Sequence, residues 1–304
     1  MKKKLILFAV IMSLIFAYGC NQKSGDKGSD EYIASINKWH KKRISNLKKK
    51  NSWLSLVGLY WLKQGENTFG TAKDNDIVFP PGSVPDYTGK FVLSGDSVKV
   101  IINGGITVAN NERGVSELNL VDDLNGKQTI LTYGSYNWYL IKRGQNRYGI
   151  RLKNYSNPLI TEFKGVERFP VDSSWRITAK AIPYNPPKEI IVPSIIGTQD
   201  IDTAFYSLQF TKDKKTYSLD PVIEGDELFI IFADGTSGME TYGAGRFLYT
   251  KKPDASGKVI LDFNKAFNPP CNFTKFATCP LPPKANYLKL RITAGEKKYN
   301  ESGH

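Results

Sequence analysis

Histidine is all but missing from this chain. His40 and His304 are the only two among 304 residues, so neither a Ser-His-Asp triad nor a multi-histidine zinc centre can be assembled. His40 follows Trp39 in a lysine-rich stretch, where an imidazole without convergent partners is expected to pack or to face solvent. Cysteine is nearly as scarce, limited to Cys20, Cys271 and Cys279. No P-loop occurs, and no GxGxxG leads from a strand into a helix. No cofactor and no metal are therefore expected. Long apolar runs are lacking too: Leu5 to Tyr18 spans 14 residues, short of the roughly 20 that a membrane-crossing helix needs.

That run has a different use. Lys2 to Lys4 precede it, Gly19 and Cys20 end it, and the polar residues Asn21 to Asp30 follow, which is the layout of a signal peptide over residues 1–19. Ala17-Tyr18-Gly19-Cys20 resembles the bacterial lipobox, with Ala17 and Tyr18 where an aliphatic and a small residue are usual. The expectation is cleavage before Cys20, lipidation of Cys20 and a location in the bacterial cell envelope, facing the periplasm or the cell surface. Each buried acyl methylene adds about 0.8 kcal/mol of anchoring. Residues 20–30 then read as a flexible tether.

The formal charge of +13 invites a nucleic-acid reading, but its distribution argues otherwise. Three charges lie in Lys2–Lys4, and residues 31–52 carry seven basic side chains against Glu31 alone. No nucleic-acid partner is expected. Within that basic stretch Ile33, Ile36, His40, Ile44 and Leu47 recur at three- and four-residue steps, predicting an amphipathic helix over residues 31–52 with Asp30 as its N-cap. Beside a lipid anchor such a helix is suited to anionic headgroups, and the rival reading is a solvated charged face.

From Trp53 onward, short runs of Val, Ile, Tyr, Phe and Thr alternate with turn residues, predicting a mainly β protein. Strands are expected at Leu54–Leu62, Val98–Asn103, Gln128–Tyr133, Trp138–Lys142 and Tyr148–Leu152. Further strands are expected at Trp175–Ala181, Glu189–Val192, Ala204–Phe210, Leu228–Phe232, Arg246–Tyr249, Lys258–Asp262 and Tyr287–Ile292. Two β-rich modules, sandwich or barrel-like, follow: residues 53–155 and 156–304. Cys271 and Cys279 lie among five prolines, favouring a disulfide-braced structural loop over a soft-metal or redox site.

The densest polar cluster runs from Asp234 to Leu248 and contains four glycines, with Asp234, Thr236, Thr241, Tyr242 and Arg246 able to converge. An arginine among hydroxyls can hold a carboxylate or phosphate. An Asp-Arg pair satisfying a tight turn is the alternative, and exposure of Asp234, Thr241 and Arg246 decides between them.

Several blocks in order resemble the DUF1684 family, a domain of unknown function. They are Trp53–Leu62, Gly65–Gly70, Asn75–Ile77, Asp234–Leu248, Asp262–Cys271, Cys279–Pro283 and Ala294–Glu296. The resemblance adds Asp262, Asn264 and Glu296 to the candidate ligand-binding residues. Gly65–Phe79 is also similar to the start of a forkhead-associated sandwich. Thr71 stands where that fold's phosphothreonine-contacting arginine would be, and no Ser-x-x-His follows, so only the β-sandwich shape is implied.

Three functions are compatible with these features. The one favoured by a glycine-rich polar cluster without a usual catalytic base is a non-enzymatic envelope lipoprotein binding a small-molecule or glycan ligand through the Asp234–Arg246 loop, braced by the Cys271–Cys279 segment. The second is a hydrolase or transferase acting on an anionic or glycan substrate through Asp234, Asp262 and Arg246. The third is a scaffold lipoprotein.

Overall fold

The computed structural model describes residues 28–299. The expected signal peptide, Cys20 and His304 lie outside the described residues. The chain opens with helix α1 (Asp30–Leu47), whose N-cap is Ser29 rather than Asp30: the Ser29 hydroxyl accepts from the Tyr32 amide at 3.2 Å. Its buried stripe carries Ile36 and Leu47, with Tyr32, Trp39, His40, Arg43 and Ile44 half-buried. The lysines at 38, 41 and 42 face outward.

Eleven strands follow: β1 (Leu56–Trp61), β2 (Gly65–Gly70), β3 (Ile77–Val78), β4 (Gly89–Ser94), β5 (Ser97–Ile102), β6 (Val108–Asn110), β7 (Arg113–Val115), β8 (Glu117–Leu120), β9 (Ile130–Tyr133), β10 (Tyr136–Arg143) and β11 (Arg147–Asn154). They form a six-stranded sheet in the order β1-β11-β10-β9-β6-β7 and a five-stranded sheet in the order β3-β2-β4-β5-β8. One core joins both sheets: Trp138, Leu140, Ile150 and Leu152 pack with Phe69, Phe79, Phe91 and Val100, making a β-sandwich.

After the short helix α2 (Pro158–Glu162) come β12 (Arg176–Pro193), β13 (Gln199–Lys212), β14 (Lys215–Leu219), β15 (Val222–Glu224), β16 (Glu227–Phe232), β17 (Arg246–Lys251) and β18 (Lys258–Asp262). A four-stranded sheet, β14-β13-β12-β18, covers a three-stranded one, β15-β16-β17, over Leu208, Phe210, Ile230, Phe232, Leu248 and Phe263.

Two sequence expectations are corrected. Trp175–Ala181 and Glu189–Val192 are one long strand, because β12 runs through Pro183–Pro187 with a register break between Pro183 and Lys188. Pairing of β12 with β18 ends at Lys180, so one edge is free there and a bulge tolerates prolines that donate nothing. Tyr287–Ile292 is not a strand: apart from a single bridge at Tyr287, this stretch is irregular. Residues 263–299 as a whole carry only short 3-10 turns, which leaves many buried backbone groups to be satisfied by side chains.

Candidate functional site

The Asp234–Arg246 cluster supplies that satisfaction. Arg246 is 0 % exposed, as are Thr236 and Thr241, and Asp234 is buried. Arg246 Nη2 meets Asp234 Oδ1 at 3.1 Å and donates to the Ile292 carbonyl at 3.1 Å, while Nη1 donates to the Ala294 carbonyl. Asp234 accepts from the Thr236 hydroxyl at 3.0 Å and from the Ile292 amide at 2.7 Å. Thr236 and Thr241 hydroxyls bond to each other at 2.9 Å, and Tyr242 donates to the Cys271 carbonyl at 3.3 Å. Burial pulls Arg246 below the usual arginine range, and Asp234 opposes that fall. The glycines serve close approach: at Gly245, with φ +90°, an added Cβ would lie 2.5 Å from the Phe232 carbonyl. The expectation that Asp234, Thr236, Thr241 and Arg246 open onto a ligand is therefore corrected. The cluster fastens the irregular segment at 290–297 to the β16–β17 connection, and both Asp234 oxygens are already engaged.

Asp262, Asn264 and Glu296 act elsewhere, holding α1 against the second module. Tyr32 Oη donates to Asp262 Oδ1 at 2.8 Å, which together with burial keeps the phenol protonated well above its usual range. Asn264 brackets Asp172, accepting from its amide at 3.0 Å and donating to its carbonyl at 2.8 Å. The buried Glu296 carboxylate takes Arg43 Nε at 3.3 Å and the Asn268 amide at 2.8 Å. Burial raises its pKa and Arg43 counters the rise. Arg43 thus spends its charge inward. Asp262 and Asp234 share no hydrogen-bond partner: Tyr32 and Asn264 hold the first, Thr236, Arg246 and the Ile292 amide the second. His40 packs half-buried against α1's neighbours, its pKa lowered by burial and by Arg168 and Arg43.

An open cleft of about 630 Å³ lies between the two modules. On one wall the first sandwich presents Trp53, Arg143 and Arg151; on the other stand Val192, Phe229, Ile231, Phe247 and Tyr249. The basic wall follows from strand alternation. Along β11 the residues Tyr148, Ile150 and Leu152 enter the core, so Arg147, Gly149, Arg151 and Lys153 take the opposite face. Register places Arg151 beside Tyr139 of β10, and Arg143 beside Arg147.

The cations on this face are not equally neutralised. Arg143 chelates Asp123, with Nη1 at 3.0 Å and Nη2 at 2.7 Å from the two carboxylate oxygens. Arg147 stacks 4.0 Å over the Trp61 ring. Arg151 is only 2 % exposed and has no carboxylate partner among the described residues. Its Nη2 donates to Thr278 Oγ1 at 3.1 Å, its guanidinium lies 5.7 Å from the Trp53 ring centre, and its buried Nε has no hydrogen-bond partner. Arg246 Nε is also unpartnered, but that residue has Asp234 as counter-charge. A desolvated, uncompensated cation costs several kcal/mol. An anion brought beside it would supply the missing counter-charge. The guanidinium's field reaches Lys153, whose amine is lowered to about 8 by burial and by Arg151.

Thr278 is where the walls meet. Its Oγ1 accepts from Arg143 Nε at 2.9 Å as well as from Arg151, which leaves the hydroxyl proton free to donate into the cleft. Cys271 and Cys279 are disulfide-bonded, and each backbone amide contacts the partner sulfur, so the bridge fixes the loop that carries Thr278. Sequence reading singled out the cysteines but not Thr278 or Arg151. The available signal was the Arg-x-x-x-Arg-x-Lys alternation on β11. No group of His, Cys, Asp and Glu able to hold a metal occurs among the described residues, and none of the described helices is long and apolar enough to cross a membrane.

Two β modules, a docked helix and an intermodule cleft define the class of protein. Residues 161–297 match the model of a family described as a protein of unknown function, DUF1684. The blocks at 53–77 lie outside the matched residues. No curated protein matches the chain. Among solved structures, an uncharacterized protein of Haloarcula marismortui is similar at 27% identity, covering 46% of this chain and 80% of its own, with a TM-score of 0.39. The FhaA FHA domain, solved in complex with the intracellular domain of another protein, is 15% identical over 31% of this chain and 97% of its own, TM-score 0.22. A further FHA domain is 16% identical over 32% of this chain and 91% of its own, TM-score 0.22.

Proposed function

We propose that this chain is a cell-envelope lipoprotein, anchored through Cys20, that binds an organic anion in the cleft between its modules without acting on it chemically. The observation carrying this reading is Arg151: a buried guanidinium without a counter-charge, one nitrogen unpartnered, on the wall of an open cleft. Thr278 supplies a further donor, and Trp53, Phe229 and Phe247 an apolar bed. A pocket of several hundred Å³ with a few convergent polar groups is the usual form of a small-molecule site.

The test compares 4-phenylbutyrate with 4-phenylbutanamide, which share a body and differ in charge. The acid is expected to raise the melting temperature and the amide to leave it unchanged, with the response lost in Arg151→Met. Equal effects of acid and amide, or a response surviving in Arg151→Met, would overturn the reading. The outer face of the β12–β13 ribbon favours a second reading, a scaffold that docks a partner. Ile191 and Ile201 are paired across the strands there and are 58% and 73% exposed. Ile201→Lys is expected to abolish partner capture in that case and to leave anion binding intact.

A further inference from the structure

The cleft has two chemically opposite walls, and this sharpens the class of ligand beyond an anion. Its second module contributes Asp200, Asp202 and Glu224 to a lining that also carries Arg143 and Arg151 of the first. Strand register explains how acids come to stand there. Asp200 pairs with Val192 and Asp202 with Ile190, so both aspartates share a strand face with apolar residues that pack around the disulfide. Ile191 and Ile201 take the opposite, outward face. Glu224 extends the Val222 side of β15 and accepts from Tyr249 Oη at 2.8 Å.

None of these three carboxylates has a cationic partner among the described residues. Asp202 accepts from the neighbouring Thr203 amide at 2.7 Å, and all three side chains belong to exposed residues. The cleft therefore runs from an uncompensated buried cation to uncompensated rim anions, with apolar side chains between. A simple organic anion would meet attraction at one end and repulsion at the other. A ligand with an amine at one end and a carboxylate at the other would satisfy both.

Resting on the anion-site reading above, we infer that the cleft selects a zwitterion of short-peptide size, its carboxylate on Arg151 and Thr278 and its ammonium on Asp200, Asp202 and Glu224. The cleft volume of about 630 Å³ suits a body of a few residues. The two ends contribute unequally. Arg151 is desolvated, so its charge-assisted bonds dominate affinity, whereas the rim acids are exposed and add discrimination that salt screens.

The experiment uses the tripeptide Leu-Ala-Leu in three forms, with free termini, N-acetylated and C-amidated, titrated by NMR at low and high salt. Amidation is expected to weaken binding at least about tenfold, as loss of a charge-assisted pair at a buried arginine implies. Acetylation is expected to weaken it by about threefold, the scale of an exposed ion pair, and less at high salt. In Asp200→Asn/Asp202→Asn the acetylation penalty disappears while the amidation penalty stays. Those two positions are exposed, and thermal melting of the variant verifies its fold. Equal binding of the free and acetylated peptides, an unchanged acetylation penalty in the variant, or failure of the peptide to bind a protein that binds 4-phenylbutyrate overturns the zwitterion inference alone. Failure of both the peptide and 4-phenylbutyrate to bind, or amidation without effect, overturns the anion site itself.

Discussion

Two buried arginines of this protein should respond in opposite senses to the same substitution. Arg246 is neutralised by Asp234 and bonded to three backbone carbonyls, so Arg246→Met leaves Asp234 buried without its partner. Breaking such a pair costs about 3–5 kcal/mol. Arg151→Met removes one bond to Thr278 and an aromatic contact with Trp53. Those are worth roughly 1.5–3 and 0.5–1 kcal/mol. Against this loss stands release of an uncompensated buried charge, several kcal/mol in the stabilising direction. Arg143 continues to serve Thr278, so no acceptor is orphaned. The net expectation for Arg151→Met is a change between zero and about 2 kcal/mol toward greater stability. Urea denaturation at fixed m-value measures both variants, and melting should shift by roughly 2–4 °C per kcal/mol. If Arg151→Met destabilises as much as Arg246→Met, Arg151 is a structural residue and the reasoning fails.

Three further outcomes follow from the same geometry. Lys153 has an ordinary value of 10.5 and a folded value of about 8, so between those pH values the unfolded chain holds more protons. Stability should therefore rise with pH across that window in the wild type but not in Lys153→Met, as read by melting from pH 7.5 to 10.5. An anion beside Arg151 should raise the Lys153 pKa, so its affinity should decline as pH rises through about 8. Closing the loop between Cys271 and Cys279, eight positions apart, should contribute about 2.5 kcal/mol. Cys271→Ser/Cys279→Ser should lose that much in urea and bind the anion more weakly through a loosened Thr278. Arg43→Met strands Glu296 and should cost about 3 kcal/mol, with faster hydrogen exchange across α1. Adding Glu296→Gln should recover most of the loss.

Much of the architecture was legible because β patterning is local. Alternation at Tyr148–Leu152 marked a strand correctly, since Tyr148, Ile150 and Leu152 share the face that packs into the sandwich core. β12 was split in sequence because prolines usually end strands, and only the pairing limit at Lys180 reveals that they sit on a free edge. The same local logic misled at Tyr287–Ile292, where Leu288, Leu290 and Ile292 alternate into the core without a neighbouring strand to pair with. The site was the harder part. Asp234, Thr236, Thr241 and Arg246 look like a ligand cradle in one dimension. Their partners are the carbonyls and amide of Ile292, Ala294 and Glu296, 46 to 58 positions away, and only the fold brings these in. In sequence Arg151 is one cation on a strand, because its lack of a counter-charge is a tertiary property.

The most direct measurement follows the Nε–Hε resonance of Arg151 by NMR while 4-phenylbutyrate is added. That proton is buried and unpartnered in the free protein, so a bound carboxylate should shift it strongly and saturably. The Arg246 Nε–Hε resonance, away from the cleft, should stay in place. A shift at Arg246 with none at Arg151, or none at either while the melting temperature rises, would contradict an anion site at the intermodule cleft.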